Sequence, residues 1–348
     1  MRGIGTSGVR ARNVLVTLFM LGCVAFFAWW NATKPRILVL QSYDPDYAWS
    51  REIATGIQRV LGGKPGYSIR QHYMDTKRHP WPDFMVRAGV HARRIIDEWH
   101  PDVVIAVDDD AQEHVMKHYA NHPRIRIVFA GLNGDIDDYG YRRASNVTGI
   151  LERIPWYAIR DALLASDLRL AKRELRLLHL GDGSRSSLED VADLKRFNWA
   201  PLELVTVRHA SSFAEWKSAV ELAPAEADVI LIGNYRQLAA APGSKDFADP
   251  RQLVKWTEAN AMLPLIGFKV AYGEEGGAIA ISSSPYEQGE VAARMALQIL
   301  EKNVAPREIP VQHGRQFVVS VDDAGLKSQG LRLPPLYEAF ARANNTFR

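Results

Sequence analysis

Four short strings of polar and aromatic residues carry the side chains best suited to chemistry, and each follows an apolar run. They are Gln41-Ser42-Tyr43-Asp44-Pro45-Asp46-Tyr47-Ala48-Trp49, Met74-Asp75-Thr76-Lys77-Arg78, Asp108-Asp109-Asp110-Ala111 and Ala130-Gly131-Leu132-Asn133. Ser42 and Tyr43 offer hydroxyls, and Tyr43 also a stacking face. Lys77 and Arg78 could hold a carboxylate, Arg78 with the better bidentate geometry. With Asp75 they could equally form an ion network at the edge of a cleft. Asp109 or Asp110 is expected to N-cap a helix beginning at Ala111, whose free N–H groups would also suit an anion. Asn133, after a strand and Gly131, reads either as a turn residue or as an amide contact to a ligand.

Further on, Gly181-Asp182-Gly183-Ser184 could wrap a small anion through Gly183, although its spacing fits neither a P-loop nor a dinucleotide fingerprint. Asn234-Tyr235 and Phe268-Lys269 hold the matching strand ends; Asn234, Tyr235 and Phe268 complete the candidate ligand-binding set. A metal is not expected at Asp108 to Asp110, because consecutive side chains of an extended segment point apart. His114 and His118 have helix spacing but no third ligand in sight. There is no Gly-x-Ser-x-Gly elbow, no nucleotide loop and no organised acid/base pair, so neither enzymatic activity nor a cofactor is expected.

Residues at the ends of strands matter only if the strands lie side by side, and the chain is patterned for that. From Arg36 onward, β-rich runs alternate with amphipathic helical stretches, the pattern of a parallel sheet covered on both faces. Strands are expected at Ile37 to Leu40, Ser68 to Tyr73, Val103 to Val107, Ile125 to Phe129 and Asn146 to Ile150. A second series is expected at Leu175 to Leu180, Leu202 to Val207 and Val229 to Ile232, then around Pro264 to Phe268, Ala278 to Ser282 and Phe317 to Val321. Helices are expected at Ser50 to Leu61, Asp83 to Trp99, Ala111 to Tyr119, Ser187 to Phe197, Phe213 to Leu222 and Tyr286 to Leu300. Leu238 to Pro250 reads as a surface loop. In such sheets ligands bind beyond the carboxyl ends of the strands.

With 348 residues, 47% hydrophobic and 24% charged, the chain can bury a large core. The net charge of +3 (43 basic, 40 acidic) is concentrated at the start: Arg2, Arg10, Arg12 and Lys34 precede any acid. Setting those four aside leaves 39 basic against 40 acidic residues, too little positive field for nucleic acid. Val14 to Trp30 is a charge-free run of 17 residues, long enough for a short membrane-spanning helix. The basic flank puts its amino terminus in the cytoplasm, and Trp29 and Trp30 read as an interfacial belt. No small-x-small site favours cleavage, and the apolar run continues past Cys23, against lipidation. The reading is therefore a single-pass membrane helix with the folded part outside the cytoplasm. Cys23 is the only cysteine, so the folded part has neither disulfide nor thiol chemistry.

The strings beginning at Leu40 (Leu40-Gln41-Ser42-Tyr43), Tyr73 (Tyr73 to Arg78), Asp108 (Asp108 to Ala111) and Val128 (Val128 to Asn133) resemble an uncharacterised family of ABC-transporter substrate-binding proteins. They also resemble the extracytoplasmic sensor modules of that family fused to bacterial histidine kinases. The resemblance implies an α/β, two-lobed type I periplasmic binding protein, each lobe a doubly wound parallel sheet, with a ligand clamped between lobes joined by three hinge strands. By position the crossings would fall near Ile150 to Ile154, Ser282 to Pro285 and Pro310 to Phe317. The implied divisions are an anchor at 1–34, a first lobe at 35–150 plus about 283–310, a second lobe at 151–282 plus about 311–335, and a tail at 336–348. The implied function is solute binding, for an ABC permease or a membrane sensor protein. Tyr43, Tyr47, Trp49, Tyr235 and Phe268 suit a planar or apolar group, and Lys77 with Arg78 suits a carboxylate, so an amino acid or small organic acid is the expected ligand. The implied place is the periplasmic face of a bacterial inner membrane; a ligand-independent interaction scaffold, or an enzyme on a two-lobed α/β fold, is the alternative.

Overall fold

The structure is a computed structural model that describes residues 6–167 and 174–348; Arg2, counted above with the basic flank, lies outside them. Its first element is a 28-residue helix, α1 (Thr6–Thr33). Within it, the 22 residues Arg12–Thr33 are apolar enough to cross a membrane and bury nothing against the rest of the protein. At 1.5 Å per residue they extend about 33 Å, against a hydrocarbon core of about 30 Å.

Two lobes come after it. In the first, β1 (Arg36–Gln41), α2 (Ala48–Leu61), β2 (Ser68–Tyr73), α3 (Pro82–Trp99), β3 (Val103–Val107), α4 (Asp108–His114), β4 (Arg126–Leu132) and β5 (Val147–Leu151) alternate in chain order. The second contains α5 (Trp156–Leu164), β6 (Arg176–Asp182), α6 (Arg185–Arg196), β7 (Glu203–Ala210), α7 (Phe213–Leu222), β8 (Val229–Ile232), α8 (Pro250–Asn260), β9 (Leu265–Gly267), α9 (Val270–Glu274) and β10 (Ile279–Ser283). Then α10 (Pro285–Lys302) and β11 (Gln312–His313) return to the first lobe, and β12 (Phe317–Val321), α11 (Asp323–Ser328) and α12 (Pro335–Ala343) finish on the second.

Strand order is β11-β5-β4-β3-β1-β2 in the first sheet and β12-β10-β9-β8-β6-β7 in the second. Every pairing is parallel except β10 with β12. Central strands such as β3 and β8 are buried along their whole length, which is why they read as unbroken Val/Ile runs rather than as alternation. Each sheet has an apolar layer on both faces. Helix α10 lies directly on α2: a Cβ on Gly289 would come within 2.2 Å of the Ile53 carbonyl, so only glycine permits this approach.

The chain passes between lobes three times, at Glu152–Pro155, at Ser284 and at Gly314–Gln316. Because Gln312–His313 pairs with β5, the third crossing begins only after it. Residues 336–348 fold back on the second lobe: α12 packs on β12, and the buried Tyr337 donates from its hydroxyl to the Ala158 carbonyl at 2.7 Å. One expectation is corrected outright. The helix expected from Ala111 begins at Asp108, so neither Asp109 nor Asp110 caps it, and after His114 it tightens to a 3₁₀ turn at Met116–Tyr119. Ser42 does the capping from the neighbouring strand end: its Oγ accepts the Ala111 N–H at 2.8 Å and donates to the Val107 carbonyl at 2.6 Å.

Candidate functional site

The carboxyl ends of the two sheets face one another across a cleft, and a small cavity of about 20 Å³ lies between them. Tyr43, Tyr47, Trp49, Lys77, Asp108 and Asn133 line it from the first lobe, and Ser186, Asn234, Phe268 and Lys269 from the second. Glu152, Ser282 and Ser283 line it from the crossings. The lobes touch around it. Arg51 pairs with Glu274 at 2.5 Å, Arg185 donates to the Tyr139 hydroxyl at 2.9 Å, and Trp81 stacks on Phe247 with ring centres 6.1 Å apart.

Asp108 stands at the junction of β3 and α4 with φ of 66°, a left-handed conformation that non-glycine residues rarely hold. Its Oδ1 accepts the Trp49 indole N–H at 2.7 Å, while Oδ2 is buried with no protein partner. The opposite strand end makes room: Gly131, also left-handed, would carry a Cβ only 2.9 Å from Oδ1. Burial first, and then the charge of Glu152, push the Asp108 carboxyl well above the usual carboxylate range. An unbonded carboxyl oxygen in a dry site is costly unless a ligand donor or a proton meets it.

Opposite it, Lys269 sits between two buried acids, with Nζ 2.9 Å from Asp190 Oδ2 and 3.5 Å from Glu152 Oε1. Burial alone would lower this ammonium's pKa, but Asp190 and Glu152 hold it above its ordinary value. Burial pushes Asp190 up to about 6 even though Lys269 pulls the other way. Glu152 also accepts from Ser283 Oγ at 2.9 Å and from Asn133 Nδ2 at 3.2 Å, and Asn234 Nδ2 donates to Asp190 at 3.2 Å. Lys269 is therefore already matched. Lys77 is not: it is 6% exposed, its Nζ lies 4.6 Å over the Tyr43 ring and 5.6 Å over Tyr47, and its one hydrogen bond is to Ser186 Oγ at 3.5 Å. Among the described residues no carboxylate pairs with it. The cleft thus presents one unmatched cation, one unmatched carboxyl oxygen and four aromatic rings.

Of the residues singled out in the sequence, Tyr43, Lys77, Asn133, Asn234 and Phe268 come together on this cavity. Asp109, Asp110 and Gly183 line an adjoining one of about 220 Å³, which Tyr43, Lys77 and Ser186 share. There Asp109 accepts from the Asn133 and Gly134 amides and the Tyr139 hydroxyl, and Asp110 accepts from Thr76 Oγ1 at 2.7 Å. Ser42 and Ala111 are consumed by the helix cap. Asp75 and Arg78 pair with each other at 2.7 and 3.0 Å on an exposed edge, away from the cavity. Tyr235 is buried in the second lobe, its hydroxyl on Glu275 Oε2 at 2.5 Å. Asp190 carried no signal because it lies inside α6, and Glu152, although it directly follows β5, was not singled out. Asp108, Tyr47, Trp49 and Lys269 belonged to the quoted strings but not to the candidate set.

A family model described as ABC transporter substrate binding protein matches residues 183–341, most of the second lobe together with α10 and β11 of the first. No curated protein matches the chain. Among solved structures, a conserved domain protein from Vibrio cholerae O1 biovar El Tor aligns with TM-score 0.64 at 18% identity, covering 88% of this chain and 98% of its own. An ABC domain in complex with L-Trp from Streptococcus pneumoniae aligns with TM-score 0.65 at 16% identity, covering 88% and 98%. An ABC transporter solute-binding protein from Clostridium phytofermentans with bound L-rhamnose aligns with TM-score 0.51 at 11% identity, covering 79% and 84%. At these identities the likeness is one of fold, and the fold is that of the two-lobed type I periplasmic binding proteins.

Proposed function

We propose that this chain, a substrate-binding protein by its family match and its fold, clamps a small zwitterionic solute, an amino acid, between its lobes outside the cytoplasm. The observation that carries the reading is the buried, unpartnered Oδ2 of Asp108 in the same cavity as the unmatched Lys77. An ammonium group completes the first and a carboxylate the second, while Tyr43, Tyr47, Trp49 and Phe268 provide apolar faces for a side chain. A neutral sugar would leave the Lys77 ammonium without a carboxylate and Asp108 holding its proton. That two structural neighbours hold L-Trp and L-rhamnose keeps both classes in the test.

Delivery to an ABC permease is the role that the family match favours. A specific feature supports a second reading: α1 as an uncleaved anchor would keep the binding domain beside a membrane-embedded sensor instead of releasing it. Either role needs binding without turnover. Calorimetry of the chain against amino acids, their decarboxylated amines, their deaminated acids and sugars tests the proposal. Binding of an amino acid, weakened at least tenfold by removal of either charged group, is the expected result, since a hydrogen bond to a charged partner contributes about 1.5–3 kcal/mol. Saturable sugar binding with no response to any amino acid would overturn it.

A further inference from the structure

The amino-terminal edge of the first sheet carries a second concavity, and it is basic. Strands β1, β3 and β4 begin in register there, with Ile37 beside Val103 and Val103 beside Arg126. At about 4.8 Å per strand, Arg126 lies about 10 Å from the start of β1. Only Lys34 and Pro35 separate Thr33, the last residue of α1, from Arg36, the first of β1. A chain reaches at most about 3.5 Å per residue, so the end of α1 is held within about 10 Å of this edge.

A groove of about 500 Å³ opens at the same edge, lined among others by His122, Arg124, Arg126, Asn146, Asn303 and Arg307. Arg124 and Arg307 are exposed and Arg126 half-buried, and none of the three pairs with a carboxylate among the described residues. The Arg126 guanidinium reaches only the Arg124 carbonyl, at 3.4 Å. Of the nearby acids, Asp97 and Asp102 share a neighbouring concavity with Arg124 and Arg126, where Asp97 accepts from the Tyr119 hydroxyl at 2.7 Å and Asp102 from the Arg36 amide at 2.8 Å; Glu308 is exposed next to Arg307. Three unpaired guanidiniums around one concavity suit a phosphodiester.

We propose that this groove seats the headgroup of an anionic phospholipid in the membrane that α1 enters, an inference that rests on α1 acting as an anchor. The first lobe then stands on the bilayer, and the cleft, at the opposite ends of the same strands, faces away from it. Three features agree: the tether is too short to let the edge leave the headgroup region, the groove is concave, and its unmatched charge has the sign that anionic lipid attracts. With a Debye length of about 8 Å at physiological salt, charges held this close are only partly screened.

The test uses the full chain with Cys23→Ser, reconstituted in phosphatidylcholine vesicles with or without phosphatidylglycerol. A fluorophore on Lys302→Cys, exposed beside the groove but outside its lining, reports energy transfer to a headgroup-labelled lipid, and one on Glu221→Cys reports from the second lobe. Phosphatidylglycerol should raise transfer from the Lys302 probe alone. About 1 M salt, at which the Debye length is about 3 Å, should reverse the rise. So should the triple variant Arg124→Glu/Arg126→Glu/Arg307→Glu, since each basic side chain at an anionic surface shifts the contact equilibrium about fivefold. Flotation of the chain with the vesicles reports the anchor separately, and retained solute binding shows that the triple variant is folded. A chain that floats but gives equal transfer with and without phosphatidylglycerol, or equal transfer in the triple variant, overturns the proposal. A chain that fails to float removes the anchor on which it rests.

Discussion

Trp49 donates its indole N–H to one oxygen of Asp108 at 2.7 Å and leaves the other oxygen of that carboxyl buried and unbonded in the cleft. The hydrogen bond fixes which way the carboxyl faces. Burial, opposed by this hydrogen bond, shifts the carboxyl upward, so its protonation responds to what the cleft holds.

Ligand binding should therefore release a proton. An ammonium group beside Oδ2 favours the carboxylate, so the pKa falls on binding, and affinity rises with pH until the raised pKa of the free protein is passed. The expected slope is up to about tenfold in affinity per pH unit. Titration calorimetry in buffers of different ionisation enthalpy counts the proton directly. Asp108→Asn should weaken binding and flatten the slope; a variant with wild-type slope would assign the proton to another group.

Lys77 should set the preference for a carboxylate. It is buried over Tyr43 and Tyr47 with no carboxylate partner, so its ammonium is available to a ligand anion without breaking an existing ion pair. Lys77→Gln should lower affinity for a carboxylate-bearing solute about 10- to 100-fold, and leave its decarboxylated amine almost unaffected. Lys269→Gln should behave differently, since it strands the buried Asp190 and Glu152 and so lowers stability by about 3–5 kcal/mol. Equal effects of Lys77→Gln on both solutes, measured by calorimetry, would count against the assignment.

How far the sequence reached is clear from which residues line the cavity. Unbroken apolar runs such as Val103 to Val107 mark strands because only a strand buried on both faces needs them, and the residues just past each strand end are then fixed by position along the chain. Tyr43, Lys77 and Asn133 could be picked out that way. Asp190 could not: it lies inside a helix, and its burial against Lys269 joins residues 79 positions apart. Glu152 lies on a crossing whose path depends on both lobes. Nor does sequence pattern distinguish among three consecutive aspartates; the left-handed turn at Asp108 sends that one to Trp49, and Asp109 to the loop amides. The family strings read from the first lobe and the family match at 183–341 also fall on different parts of the chain.

Closure itself should depend on pH. Glu52 on α2 and Glu274 on α9 share a hydrogen bond across the lobes, and burial, then Glu274, push Glu52 up to about 7. Arg51, bonded to Glu274, and the Tyr286 hydroxyl pull it the other way without prevailing. When the lobes part, Glu52 returns toward its ordinary range near 4.5, so closing takes up a proton between about 4.5 and 7. The closed form should be favoured below about 7 and weaken as pH rises through that value. Small-angle scattering of the ligand-free protein should show a larger radius at pH 8 than at pH 6, and Glu52→Gln should abolish the difference. An unchanged radius in wild type would mean that the pair does not control closure.

Acid should unfold the second lobe through His179. This residue is fully buried on β6, neither ring nitrogen has a partner, and Phe268 and His209 are its ring neighbours at 5.7 and 5.9 Å. Burial, then His209, depress its pKa from 6.5 to about 3. Folding thus holds the neutral ring, whereas the unfolded chain takes up a proton below 6.5. The contribution to stability is fully present above 6.5 and is lost as pH falls toward 3, at about 1.4 kcal/mol per unit. Urea unfolding at pH 7 and pH 5 should therefore show a loss of about 2 kcal/mol attributable to this ring. His179→Leu removes both orphaned nitrogens and should reduce the acid loss by that amount. If wild type and variant lose the same stability between the two pH values, the buried ring is not what makes the lobe sensitive to acid.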